Sequence, residues 1–107
     1  MDNKALVVLT TVAELKEAEL LARTIVEAKL AACVQVLPPM KSVYFWENEV
    51  QTDSEHLLLI KTLGGKFDDL AAFIQTNHSY ETPEIIALEA SAVAETYLGW
   101  MKNYLEK

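Results

Sequence analysis

Four consecutive large aliphatic residues, Leu57-Leu58-Leu59-Ile60, constrain this chain more than any other stretch. Successive side chains of a strand point to opposite faces of its sheet, so an unbroken apolar run demands cover on both faces. Ala5-Leu6-Val7-Val8-Leu9 makes the same demand. A sheet containing both strands is a buried layer, and a chain of 107 residues has little material to bury it with. Apolar residues make up 51% of the chain, more than a small domain ordinarily carries, and the excess points to apolar surface shared between subunits.

The stretches around these strands complete an order. Thr11-Val12-Ala13-Glu14 fits a capping box, in which a threonine hydroxyl and a glutamate carboxylate serve the first free amides of a helix. Leu15, Ala18, Ala22, Ile25 and Val26 then recur at helical spacing, opposite Lys16, Glu17, Glu19, Arg23 and Glu27 on a solvated face. This predicts an amphipathic helix over 12–29. From Ala32 to Leu37 the pattern is β-like, with Cys33, Gln35 and Leu37 on one face and Val34 and Val36 on the other. Pro38-Pro39 removes two donors and bends or breaks the strand, which Ser42-Val43-Tyr44-Phe45-Trp46 resumes. Glu47-Asn48-Glu49 is a turn centred on Asn48, because asparagine tolerates the left-handed backbone of a tight hairpin. Val50 to Thr62 is the returning strand, so the polar and aromatic tip of the hairpin projects beyond the core.

Gly64-Gly65 breaks the chain, and Phe67, Leu70, Ala71 and Ile74 mark a second helix ending near Asn77. Ile85 to Ala90 is a fourth strand, and Ser91 is placed to cap a last helix in which Tyr97, Leu98, Met101 and Leu105 share a face. The order β-α-β-β-α-β is the ferredoxin-like, split βαβ arrangement of the α+β class, here with an extra C-terminal helix and one domain over residues 1–107. Two helices cover one face of its antiparallel sheet. The third is too small to cover the other, and a second subunit is expected to cover part of it.

The net charge of -7 argues against nucleic acid or an anionic membrane as the main partner, since both need a basic face. A single cysteine, Cys33, excludes an intrachain disulfide and a cysteine-rich metal site within one chain. No apolar run approaches the ~20 residues of a membrane helix. Met1-Asp2-Asn3-Lys4 ahead of the first strand is too short and too lightly charged for a signal peptide, so the cytoplasm is the expected location.

Chemistry concentrates in His78-Ser79-Tyr80-Glu81-Thr82-Pro83-Glu84-Ile85. Pro83 keeps this stretch out of a helix interior or a central strand, so it is an ordered loop, the usual seat of function. His78 is a candidate metal ligand or proton carrier, or an imidazolium closing a helix. With Glu81 and Glu84 it offers donors for a borderline divalent ion such as copper or zinc. The plainer reading of the two carboxylates pairs them with Lys61 or Arg23 across a subunit boundary. Cys33 is a candidate soft ligand, or a small strand hydrophobe. His56 reads as a strand residue near the surface. Tyr44, Phe45 and Trp46 read as core or interface aromatics, with a ring-stacking pocket as the alternative. No glycine-rich phosphate loop or nucleophile elbow is present, and an enzyme would rest on His78 as acid–base partner of Glu81 or Glu84.

The chain resembles the divalent-cation-tolerance proteins of the CutA type nearly end to end. The similarity runs through Glu27-Ala28-Lys29-Leu30-Ala31-Ala32-Cys33-Val34, then Pro38, Ser42, Tyr44 and Trp46, then Asp53-Ser54-Glu55 and Lys61-Thr62. The loop over 78–85 and Tyr97-Leu98-Gly99-Trp100 complete it. Two departures stand out. Ser79 replaces a usual proline, which predicts a less rigid loop, and Asn48 replaces a common glycine. The resemblance implies a ferredoxin-like homotrimer with a cleft between subunits near the loop; we expect Lys61, His78, Tyr80, Glu81, Glu84 and Trp46 to line it. The resemblance also implies an association with copper and divalent-cation tolerance; from their side-chain chemistry, His78, Glu81, Glu84 and Cys33 are the expected ligands of a divalent metal, copper before zinc, with no organic cofactor. The architecture is also similar to that of the PII signalling proteins. The alternatives are therefore a signalling trimer that binds a small anionic metabolite and docks on a partner protein, and a hydrolase or transferase using His78 and a carboxylate.

Overall fold

Strand β4, Glu49–Leu63, runs the length of the molecule and every other part of the sheet is placed by it. The computed structural model describes residues 4–106; the reading of Met1-Asp2-Asn3 as no leader lies outside them. Toward its C-terminal end β4 pairs antiparallel with β1, Ala5–Val12, on one side and with β2, Cys33–Val36, on the other. Toward its N-terminal end it pairs with β3, Met40–Trp46. Strand β5, Ile86–Glu89, pairs with the far side of β1, giving the order β2-β4-β1-β5 with β3 continuing the hairpin. This is the split βαβ order expected from the sequence. Pro38-Pro39 falls between β2 and β3, where β4 changes partner.

Helix α1, Leu15–Glu27, begins three residues later than expected. The capping box does not form: Thr11 is buried in β1 opposite Leu57, and Glu14 at the helix N-cap makes no side-chain cap bond. The strand ladder takes Thr11, whose hydroxyl local capping chemistry would have used, and leaves Glu14 alone at the N-cap. The helix also ends earlier, because Lys29 adopts a positive φ of 58°. Lys29 N–H donates to Val26 O at 3.0 Å and Leu30 N–H to Ile25 O at 3.1 Å, a Schellman closure with lysine in the position usually held by glycine. Helix α2, Phe67–Asn77, agrees with the expected span. Helix α3, Glu95–Leu105, starts after Ala94, so Ser91 is not its cap.

The hairpin turn has two central residues, Glu47 and Asn48, with φ of 51° and 66°. Both are left-handed, as a type I′ connection requires, so the positive angle expected of Asn48 is shared by Glu47.

Alternation along the strands sorts side chains between two unequal faces. Leu58 and Ile60 of β4, with Leu6, Val8 and Val12 of β1, pack against Ala18, Leu21 and Ile25 of α1 and Leu70 and Ile74 of α2. On the other face Met101 and Leu105 of α3 cover only Ala5, Ala32 and Leu63. The rest of that face carries Val7, Leu9 and Leu59, half-buried, and Ile86 and Leu88, about half exposed at 49% and 51%. The non-alternating runs thus have two apolar faces of which this chain covers one and a part. Among the described residues no helix is long and apolar enough to cross a membrane.

Candidate functional site

At the end of α2 the chain turns extended at His78, whose side chain is fully buried. Thr11 O in β1 lies 2.8 Å from Nε2, and the Tyr80 amide donates to Nδ1 at 3.0 Å. A carbonyl only accepts and an amide only donates, so these partners assign the neutral tautomer with its proton on Nε2. Glu17 Oε2 is 3.9 Å from Nδ1, but Nδ1 is the acceptor of the Tyr80 amide, so this contact is not an ion pair. His78 is thus a neutral spacer between β1 and the loop, not the imidazolium of a helix terminus. Both ring nitrogens are engaged in this arrangement, Nε2 with Thr11 O and Nδ1 with the Tyr80 amide.

The following residues are tied to three further elements. Glu17 of α1 accepts from Ser79 N–H at 3.1 Å and from Ser79 Oγ–H at 3.0 Å. Serine in the place of proline was expected to loosen the loop; here it adds two bonds, one through the amide that proline lacks. Tyr80 O–H donates to Glu55 Oε2 of β4 at 2.7 Å, and its ring lies 4.7 Å from the imidazole. Burial, and then the Glu55 acceptor, raise the Tyr80 phenol well above its ordinary range. Gln75 of α2 donates to Glu81 O at 3.0 Å. Pro83 is buried, while Glu81 and Glu84 are exposed.

Among the described residues, Glu81 and Glu84 form no ion pair. Arg23 pairs with Glu27 at 3.8 Å, and Lys61 Nζ lies 5.8 Å from the centre of the Tyr97 ring. Among the described residues of one chain, the loop carboxylates thus meet neither Lys61 nor Arg23.

The other predicted site residues lie elsewhere. Cys33 faces Lys61 across β2 and β4, with Tyr97 above them; burial first and then the neighbouring thiol raise the Tyr97 phenol. Lys61 lies four residues along β4 from Leu57, the partner of Thr11, or roughly 13 Å at strand rise. Trp46, opposite Glu49 at the hairpin tip, is roughly 40 Å from Lys61 by the same measure. Only His78, Tyr80, Glu81 and Glu84 share one place, because they share one loop. Among the described residues no three of His, Cys, Asp and Glu come close enough to hold a metal ion, so the donor set of one chain does not make a closed site. His56, expected near the surface, is buried, with Nδ1 donating to Leu37 O at 2.9 Å where β4 changes partner.

Sequence reasoning missed Thr11, Glu17, Glu55 and Gln75. Glu17 and Gln75 had the local look of surface residues, and Thr11 that of a helix cap. Glu55, at the change from polar to apolar along β4, carried the one visible signal.

The mixed α+β fold, with its antiparallel split βαβ sheet and three helices, matches that of solved CutA1 structures. The description CutA1 divalent ion tolerance protein matches residues 6–104, and the chain belongs to that family. It is 44% identical over 99 residues to the chloroplastic protein CutA of Arabidopsis thaliana, covering 92% of this chain and 54% of that one. The chain thus spans about half the length of that plant relative. The crystal structure of CutA1 from Oryza sativa superposes with a TM-score of 0.92 at 44% identity, covering 94% of this chain and 93% of that one. A periplasmic divalent cation tolerance protein CutA from Archaeoglobus fulgidus superposes with a TM-score of 0.91 at 32% identity, covering 94% and 98%.

Proposed function

We propose that this chain assembles as a homotrimer and binds a divalent cation, copper before zinc, in a cleft between subunits at the loop over 78–84. The observation that carries this reading is the pair of exposed carboxylates, Glu81 and Glu84, on a loop anchored to four elements and without a cationic partner among the described residues. A single chain supplies too few donors, so a neighbouring subunit completes the set; Cys33, half-buried beside Tyr97, lies apart from the loop of its own chain. His78 joins the set by exchanging the Tyr80 amide at Nδ1 for the ion. Imidazole with carboxylates suits copper or zinc better than magnesium. The family description gives divalent ion tolerance; to this we add, as our proposal, a cytoplasmic location and regulation through the assembly.

The test is copper(II) titration by calorimetry of the parent and of a Glu81→Ala/Glu84→Ala variant, with sedimentation for the assembly. The variant is expected to lose at least tenfold in affinity with an unchanged melting temperature, since both side chains are exposed. Binding should weaken as pH falls, because the ligands must be deprotonated to coordinate. Equal affinity of parent and variant would remove the loop as the binding element.

A further inference from the structure

We propose that Glu55 is a positioning residue of the loop site: from within β4 it holds Tyr80 and so fixes the pose in which Glu81 and Glu84 receive a cation. The inference rests on the reading of the loop as the cation-binding element. Glu55 is 6% exposed, whereas its neighbours Asp53 and Ser54 are exposed. A buried carboxylate is costly unless it is paired. Among the described residues Glu55 has no cationic partner, and its protein contact is the Tyr80 hydroxyl, 25 positions along the chain. Charge makes a carboxylate a stronger acceptor than a neutral oxygen, which gives a reason to keep one there.

The other ties reach the loop start, at His78 and Ser79, and the Glu81 carbonyl, through Gln75, and Pro83 is buried near the loop end. Tyr80 is the side chain between them that reaches into the hairpin. Its ring also rests on His78, so the Glu55 bond sets both the imidazole and the backbone leading to Glu81. Glu55 need not touch the ion to govern its affinity.

The experiment compares the full chain with Tyr80→Phe, Glu55→Leu and Glu55→Gln by amide hydrogen exchange and copper(II) titration. Tyr80→Phe and Glu55→Leu are expected to speed exchange at residues 79–84 about tenfold and to weaken copper binding by a similar factor, the worth of a bond to a charged acceptor. Exchange across 57–63 should stay at the parental rate. Glu55→Gln keeps an oxygen that accepts from the phenol and should hold both readouts within about threefold. Parental exchange in Tyr80→Phe and Glu55→Leu overturns the proposal, as does a Gln variant as impaired as the Leu variant, which would make the charge itself a ligand. If exchange responds as expected and the parent binds no copper, the cation reading falls and the positioning role stands. If Glu81→Ala abolishes binding and the Glu55 variants bind as the parent does, the reading stands and the positioning role falls.

Discussion

The two halves of β4 share one backbone and one unbroken series of antiparallel partners, yet they are held in different ways. From Leu57 to Leu63 the strand lies between β1 and β2, and Leu58, Ile60 and Thr62 are wholly buried under α1 and α2. From Glu49 to Glu55 its partner is β3 alone, and the face it presents with β3 leaves Val43 at 67%, Phe45 at 69% and Val50 at 68% exposure. An isolated two-stranded ribbon is marginal in water. The inner half is stabilised by burial within the chain. The outer half has a correct turn, a regular ladder and a clasp at Glu55, and lacks cover. Backbone pairing gives a strand its shape; side-chain burial decides whether that shape persists.

The largest expected effect comes from removing the cover that the proposed assembly supplies to the outer half. Phe45→Asp should dissolve the trimer and, with it, the cooperative melt, read by sedimentation and calorimetry together. A folded parental monomer at micromolar concentration would erase this contrast between the halves. Next comes the inner half itself. Ile60→Ala empties a fully buried site and should cost about 2–5 kcal/mol in denaturant unfolding. A loss below about 1 kcal/mol would mean that the core between sheet and helices is not what holds β4. The smallest effect belongs to the turn. Asn48→Val should cost about 1 kcal/mol, because a β-branched residue resists a φ of 66°, whereas Asn48→Gly should be neutral or slightly stabilising. Equal stability of these two variants would show that the turn does not constrain the outer half.

The same contrast explains the limits of the sequence. The two apolar runs, the helical periodicities and the turn residues are local signals, and they carried the element order and the sheet arrangement. They also carried the warning that one sheet face lacks cover, now visible at Ile86 and Leu88. Local signals failed where a tertiary partner outbid them. Thr11 had the look of a helix cap until pairing with Leu57 drew it into β1. At Lys29, read as the last helical residue, a local closure decided instead: Lys29 N–H bonds Val26 O and Leu30 N–H bonds Ile25 O, with Lys29 in the left-handed region.

The site divides in the same manner. Residue type and Pro83 alone mark 78–85 as a loop with histidine, phenol and carboxylates, and no folding information is needed to place those groups together. What the tertiary structure decided is their state. His78 is neutral and fully engaged because β1 and the loop backbone meet around it. Tyr80 is held because Glu55, far off in sequence, arrives beneath it. Lys61, Cys33 and Trp46 stand apart from the loop because β4 is long, and a strand separates residues by its rise however similar their chemistry.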